Sequence, residues 1–194
     1  MKKFIIIIIS ILSVGISYSQ NASSSQDGFL GNTVFADGIY TRNTSDFNNT
    51  FDYSSGGYLG YSIFLGPKNT LVFRAGYMEQ NLKEGEPNFE GSSMNMIPLH
   101  FGGRYYFLNK RINPFVSFMN GANIINQKIN NIDSNTFVDD TIVRYVWQLG
   151  TGLTIGITRN LNFEISANYN SSFYTTDAMM TGFEYGIGFG YVLK

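Results

Sequence analysis

Side chains that could do chemistry are few in this chain. His100 is the only histidine, and there is no cysteine. Zinc clusters and Cys–His dyads are therefore excluded, and His-based catalysis has one candidate. No serine stands within two residues of His100, so a hydrolytic pair would need Ser62 or Ser117 from a neighbouring strand. Gly150-Thr151-Gly152 and Gly186 to Gly190 have the glycine content of phosphate-binding loops, but such loops need a strand-to-helix junction that the sequence lacks. Asp139-Asp140 and the set Glu84, Glu86 and Glu90 could offer carboxylates to a divalent cation, yet their spacing is not that of an EF-hand loop. The expectation is a core histidine, no enzyme activity, no metal and no cofactor.

The remaining chemistry lies in a set of charges sharing one parity within alternating segments: Arg74, Arg104, Arg144, Glu164 and Glu184, with His100 nearby. The elements that carry them explain the set. Phe183, Tyr185, Ile187, Phe189, Tyr191 and Leu193 alternate with Glu184, Gly186, Gly188, Gly190, Val192 and Lys194. This is the period of a strand with two different faces. The same alternation recurs around Leu161–Asn170, Val143–Gly156, Leu71–Met78, Leu99–Phe107 and Tyr58–Leu65. Two segments are mixed. Between Phe115 and Ile125 both faces are largely apolar. Between Phe29 and Arg42, Leu30, Val34, Ala36 and Tyr40 suggest an outward face that Phe35 and Ile39 contradict.

About eight strands of roughly 10 to 16 residues result, against the ~9–11 that a membrane-crossing strand needs. Gly66–Asn69, Asn109–Asn113 and Thr158–Asn160 read as short turns. Asn43–Ser55, Leu82–Ser93, Lys128–Asp140 and Ser172–Thr181 read as long polar loops rich in acid. The expected fold is all-β: an eight-stranded antiparallel up-and-down transmembrane β-barrel over residues 29–194.

Which face meets the surroundings follows from bulk. The apolar face is too large to fit inside a narrow barrel, and the other face, dominated by Gly, Ser, Asn and Thr, carries almost no lysine for a water surface. A soluble lipocalin-like carrier would need the opposite arrangement. With the apolar face outward, Arg74, His100, Arg104, Arg144, Glu164 and Glu184 line the lumen as a structural polar core whose charges should pair.

Composition and the N-terminus agree. Residues 1–19 read as a signal peptide: Lys2 and Lys3, the apolar run Phe4–Ile16 with five consecutive isoleucines, and small residues before a cleavage point after Ser19. Residues 20–28 form a short lead-in. Charged residues are 14%, below the ~25% of average soluble domains, and aromatics are 16%. Without Lys2 and Lys3 the chain holds 11 bases against 14 acids, a net charge of −3, which argues against nucleic acid as a partner. The expected location is the outer membrane, reached through the periplasm.

The stretch Ile97-Pro98-Leu99-His100-Phe101-Gly102-Gly103-Arg104-Tyr105-Tyr106-Phe107, followed after a turn by Asn113-Pro114-Phe115-Val116, resembles the central hairpin of OmpA-like and PorT-like outer-membrane β-barrel domains. His100 stands where an aliphatic residue is usual, and Asn120 interrupts the glycine-rich strand that follows. The resemblance implies folding by the barrel-assembly machinery and contact with outer-membrane lipid and lipopolysaccharide. It implies no single activity, since fold and function separate in such barrels. A structural or surface-interaction role leads. A small-solute pore and a lipid-modifying enzyme are the alternatives.

Overall fold

The computed structural model describes residues 30–44, 46–83, 91–108, 110–131, 136–173 and 179–193; the signal peptide and lead-in lie outside them. Eight strands follow one another: β1 (Thr33–Thr44), β2 (Phe51–Gly66), β3 (Asn69–Leu82), β4 (Ser93–Tyr106), β5 (Ile112–Asn131), β6 (Thr136–Gly156), β7 (Leu161–Phe173) and β8 (Met179–Val192). Each pairs antiparallel with its chain neighbours, and β1 pairs with β8, so the sheet closes into a barrel with up-and-down topology. Closure removes the edges that an open sheet would present.

The alternation seen in the sequence sets the two faces. Leu59 is 70% exposed, Leu149 and Ile187 are 57%, and Phe101 is 53%, whereas their chain neighbours Tyr58, Gln148 and His100 are buried. The apolar face is outward and the polar face inward. Aromatics gather toward both ends of the belt. Tyr105 and Phe107 meet edge to face at the turn end, with Lys68 over Tyr105. Near the opposite end Tyr40 stacks on Tyr53, and Tyr169 contacts both Trp147 and Phe183.

The two mixed segments are resolved. In β1 the odd positions Thr33, Phe35, Asp37, Ile39, Thr41 and Asn43 face the lumen, and Val34, Ala36 and Tyr40 face outward. Phe35 points inward because Gly60 on β2 leaves room: a Cβ built there would lie 2.2 Å from the Phe35 ring. In β5 the inward positions are Asn113, Phe115, Ser117, Met119, Asn123, Ile125 and Gln127. Phe115 fills the space that Gly152 vacates, with a would-be Cβ 2.4 Å from its ring.

Three expected loops are shorter than the sequence suggested, Ser172–Thr181 among them, since β7 runs to Phe173 and β8 starts at Met179. Lys128–Asp140 is mostly paired: β5 and β6 match residue for residue from Ile112–Ile155 to Asn131–Thr136, and Lys128 meets Asp139 at 3.5 Å. Strand pairing there satisfies backbone groups that a loop would leave to water. Asn43–Ser55 holds strand ends and a 3-10 turn, Asp46–Asn49. Above Val146, β6 pairs only with β5 among the described residues, so the hairpin outruns β7, while β4 stays paired with β5 as far as Ser93–Lys128.

Candidate functional site

The lumen is filled by two ion-paired clusters. In the first, Arg74 on β3 reaches Glu184 Oε1 on β8 at 3.3 Å and donates to Gln148 Oε1 on β6. Its guanidinium lies over the Tyr58 ring, 3.9 Å from the centroid. Glu184 also accepts from Gln148 Nε2 at 2.9 Å, Asn168 Nδ2 at 3.1 Å and the Tyr58 hydroxyl at 3.1 Å. Every partner is a lumen-facing residue of a different strand, so the cluster ties five strands together. A charge this deep is costly unless it is paired and hydrogen-bonded, and Arg74 Nε is the only fully buried side-chain polar atom of this cluster that lacks a hydrogen-bond partner among the described residues.

The second cluster lies nearer the turn end. Arg104 on β4 grips Glu164 on β7 with both terminal nitrogens, at 2.6 and 2.9 Å. Its Nη1 also donates to the Tyr106 hydroxyl at 3.2 Å, and the guanidinium stacks 4.1 Å over Phe115. Thr154 donates to Glu164 at 3.2 Å. The bidentate fork is the stronger form of such a pair.

His100 belongs to the first cluster. Its Nδ1 lies 3.4 Å from Arg74 Nη2 and its Nε2 lies 3.2 Å from Asn123 Oδ1. Neither Ser62 nor Ser117 is among these partners; in register they sit beside Val72 and Arg104. Arg144 has the inward parity expected of it and stands in register opposite Asn123 of β5, away from the Arg74–Glu184 and Arg104–Glu164 ion pairs themselves. It precedes Val146 on the rising part of β6, and its Nη1 donates to the Val143 carbonyl at 3.3 Å on the exposed rim.

Asp37 is the lumen charge the sequence did not single out. It faces inward on β1, where the outward face could not be assigned, and interacts electrostatically with Glu164, Arg104, Arg74 and Glu184. Among the described residues no hydrogen bond or ion pair reaches its carboxylate. A Cβ on Gly188 would lie 2.0 Å from Asp37 Oδ1, so that glycine makes the room Asp37 occupies.

Among the described residues, two small cavities lie in the lumen beside these clusters. The upper one, about 20 Å³, is bounded by Tyr58, His100, Glu184 and methionines. The lower one, about 30 Å³, is bounded by Asp37, Arg104, Tyr106 and Glu164. Each has room for about one or two water molecules. The Arg74, Tyr58 and Glu184 layer separates them. Of the candidate carboxylates for a divalent cation, Asp139 and Asp140 are consecutive strand residues that point to opposite faces; Glu84, Glu86 and Glu90 lie outside the described residues.

No protein-family model matches the sequence, and no curated protein matches it. Solved structures do. The chain is similar to the neisserial surface protein NspA, with 12% identity over 84% of this chain and 98% of that one and a TM-score of 0.59. OprG, an outer membrane protein of Pseudomonas aeruginosa, aligns at 14% identity over 86% and 97%, with a TM-score of 0.57. Ail, the attachment invasion locus protein of Yersinia pestis, aligns at 16% identity over 83% and 97%, with a TM-score of 0.55. At these identities the likeness is one of fold.

Proposed function

We propose that this chain is a non-enzymatic outer-membrane barrel that acts at its exposed rim, in a structural or surface-interaction role. The observation that carries the reading is the inverted distribution of polarity: an apolar outer belt around a lumen sealed by Arg74–Glu184 and Arg104–Glu164. In water such a belt would aggregate; in lipid it is solvated. The OmpA-like resemblance and the barrel neighbours support the same placement, as does the signal-peptide pattern of residues 1–19. Lipopolysaccharide and membrane lipid are the surroundings this reading implies, and the barrel-assembly machinery is the folding partner.

A rim function is favoured over transport because the two cavities are small and separated by the Arg74 layer. It is favoured over lipid chemistry because both nitrogens of His100 are occupied by Arg74 and Asn123. The test is heat modifiability on a gel after refolding residues 20–194 in detergent micelles. A compact band in unboiled sample that slows on boiling is expected. A chain that stays in solution without detergent and shows no shift would overturn the proposal. Planar-bilayer recordings are expected to show no conductance steps, and steps would move transport to the front.

A further inference from the structure

Six of the seven methionines fall among the described residues, and five of them point into the barrel. Met78, Met94, Met96 and Met180 come from β3, β4 and β8, yet they pack in one buried cluster at the rim end of the lumen. Methionine is not simply this chain's usual apolar residue. The outer belt is built of Leu, Ile, Val, Phe and Tyr, and Met179 is its sole methionine among the described residues. Methionine adapts its shape to irregular gaps, yet here Met78, Met96 and Met180 line a cavity of about 20 Å³ that they leave open.

We propose that this upper cavity binds one soft monovalent cation, Cu(I) or Ag(I), with the thioethers of Met78, Met96 and Met180 as its ligands. Thioether sulfur is a neutral, polarisable donor that selects such ions over hard cations. The Tyr58 hydroxyl lies 3.8 Å from Met78 Sδ and helps to fix that sulfur. Glu184 supplies a carboxylate at the cavity wall.

His100 is part of the wall rather than a ligand, because Arg74 and Asn123 already engage its ring. The absence of cysteine leaves the thioethers without a thiolate competitor in this chain.

The test uses the chain refolded in detergent micelles and Ag(I) as its nitrate in chloride-free buffer, with silver per barrel read by elemental mass spectrometry after gel filtration. One silver per barrel is expected. The triple variant M78L/M96L/M180L, which conserves volume, should retain less than a tenth of that while keeping its heat-modifiable band. M179L should bind as the parent does. If the triple variant does not fold, M96L and M180L taken singly should each weaken binding at least tenfold. Parent protein without silver, or folded variants that hold as much as the parent, would overturn the proposal.

Discussion

Arg74 on β3 and Glu184 on β8 meet across the barrel interior at 3.3 Å although they lie 110 residues apart in the chain. Glu184 is 1% exposed and accepts four hydrogen bonds from protein donors. Removing one member strands the other. Glu184→Leu or Arg74→Met alone should lose about 3–5 kcal/mol of stability. The double variant should lose less than either single one, because no unpaired charge remains. Urea unfolding in micelles, followed by tryptophan fluorescence from Trp147, measures all three.

The lower pair depends on shape as well as charge. Arg104 holds Glu164 with two nitrogens and stacks on Phe115. A lysine keeps the charge but has neither the fork nor the flat face. Arg104→Lys is expected to cost about 2 kcal/mol in the same unfolding measurement, and Arg104→Met more.

Adjacent glycines on β4 should respond in opposite ways. A Cβ on Gly102 would stand 2.0 Å from the Phe118 carbonyl oxygen, whereas one on Gly103 would meet nothing within 4 Å. Gly102→Ala should therefore abolish or greatly diminish the heat-modifiable band. Gly103→Ala should fold at the parent's yield.

The belt can be mapped by charge. Leu59→Arg, on the outer wall, should destabilise the barrel in phospholipid by about 2–4 kcal/mol. Phe137→Arg, on the part of β6 that rises above the pairing with β7, should change stability by no more than about 0.5 kcal/mol. Equal losses at the two sites would mean that the membrane boundary lies higher than the strand pairing indicates.

Strand number, topology and the outward face were legible because a period of two with bulky residues on one side admits few other folds. The ambiguous strands were obscure for a physical reason. A narrow lumen that is plugged rather than water-filled needs apolar bulk of its own. Buried Ile39, Phe115, Met119 and Ile125 supply it together with half-buried Phe35, which erases the contrast between faces. Asp37 was lost with that contrast. Arg144 shows a different limit: parity gives the side of a strand but not the height along it, and β6 is 21 residues long. Asn120 departs from the resembling family and faces outward, where the Tyr145 hydroxyl donates to it at 2.5 Å. That bond joins partners on two strands, which no one-dimensional pattern reveals.

The seam between β1 and β8 runs for twelve residue pairs, from Thr33–Val192 to Thr44–Thr181. It joins β1 to β8, so the sheet closes only when all eight strands are present. A product cut before β8 keeps two open edges, β1 and β7, each a template for aggregation. It also lacks Glu184, so Arg74 has lost its carboxylate. Incomplete copies are thus unsealed and electrically uncompensated at once, which would make them ready substrates for proteolytic clearance before they reach a bilayer.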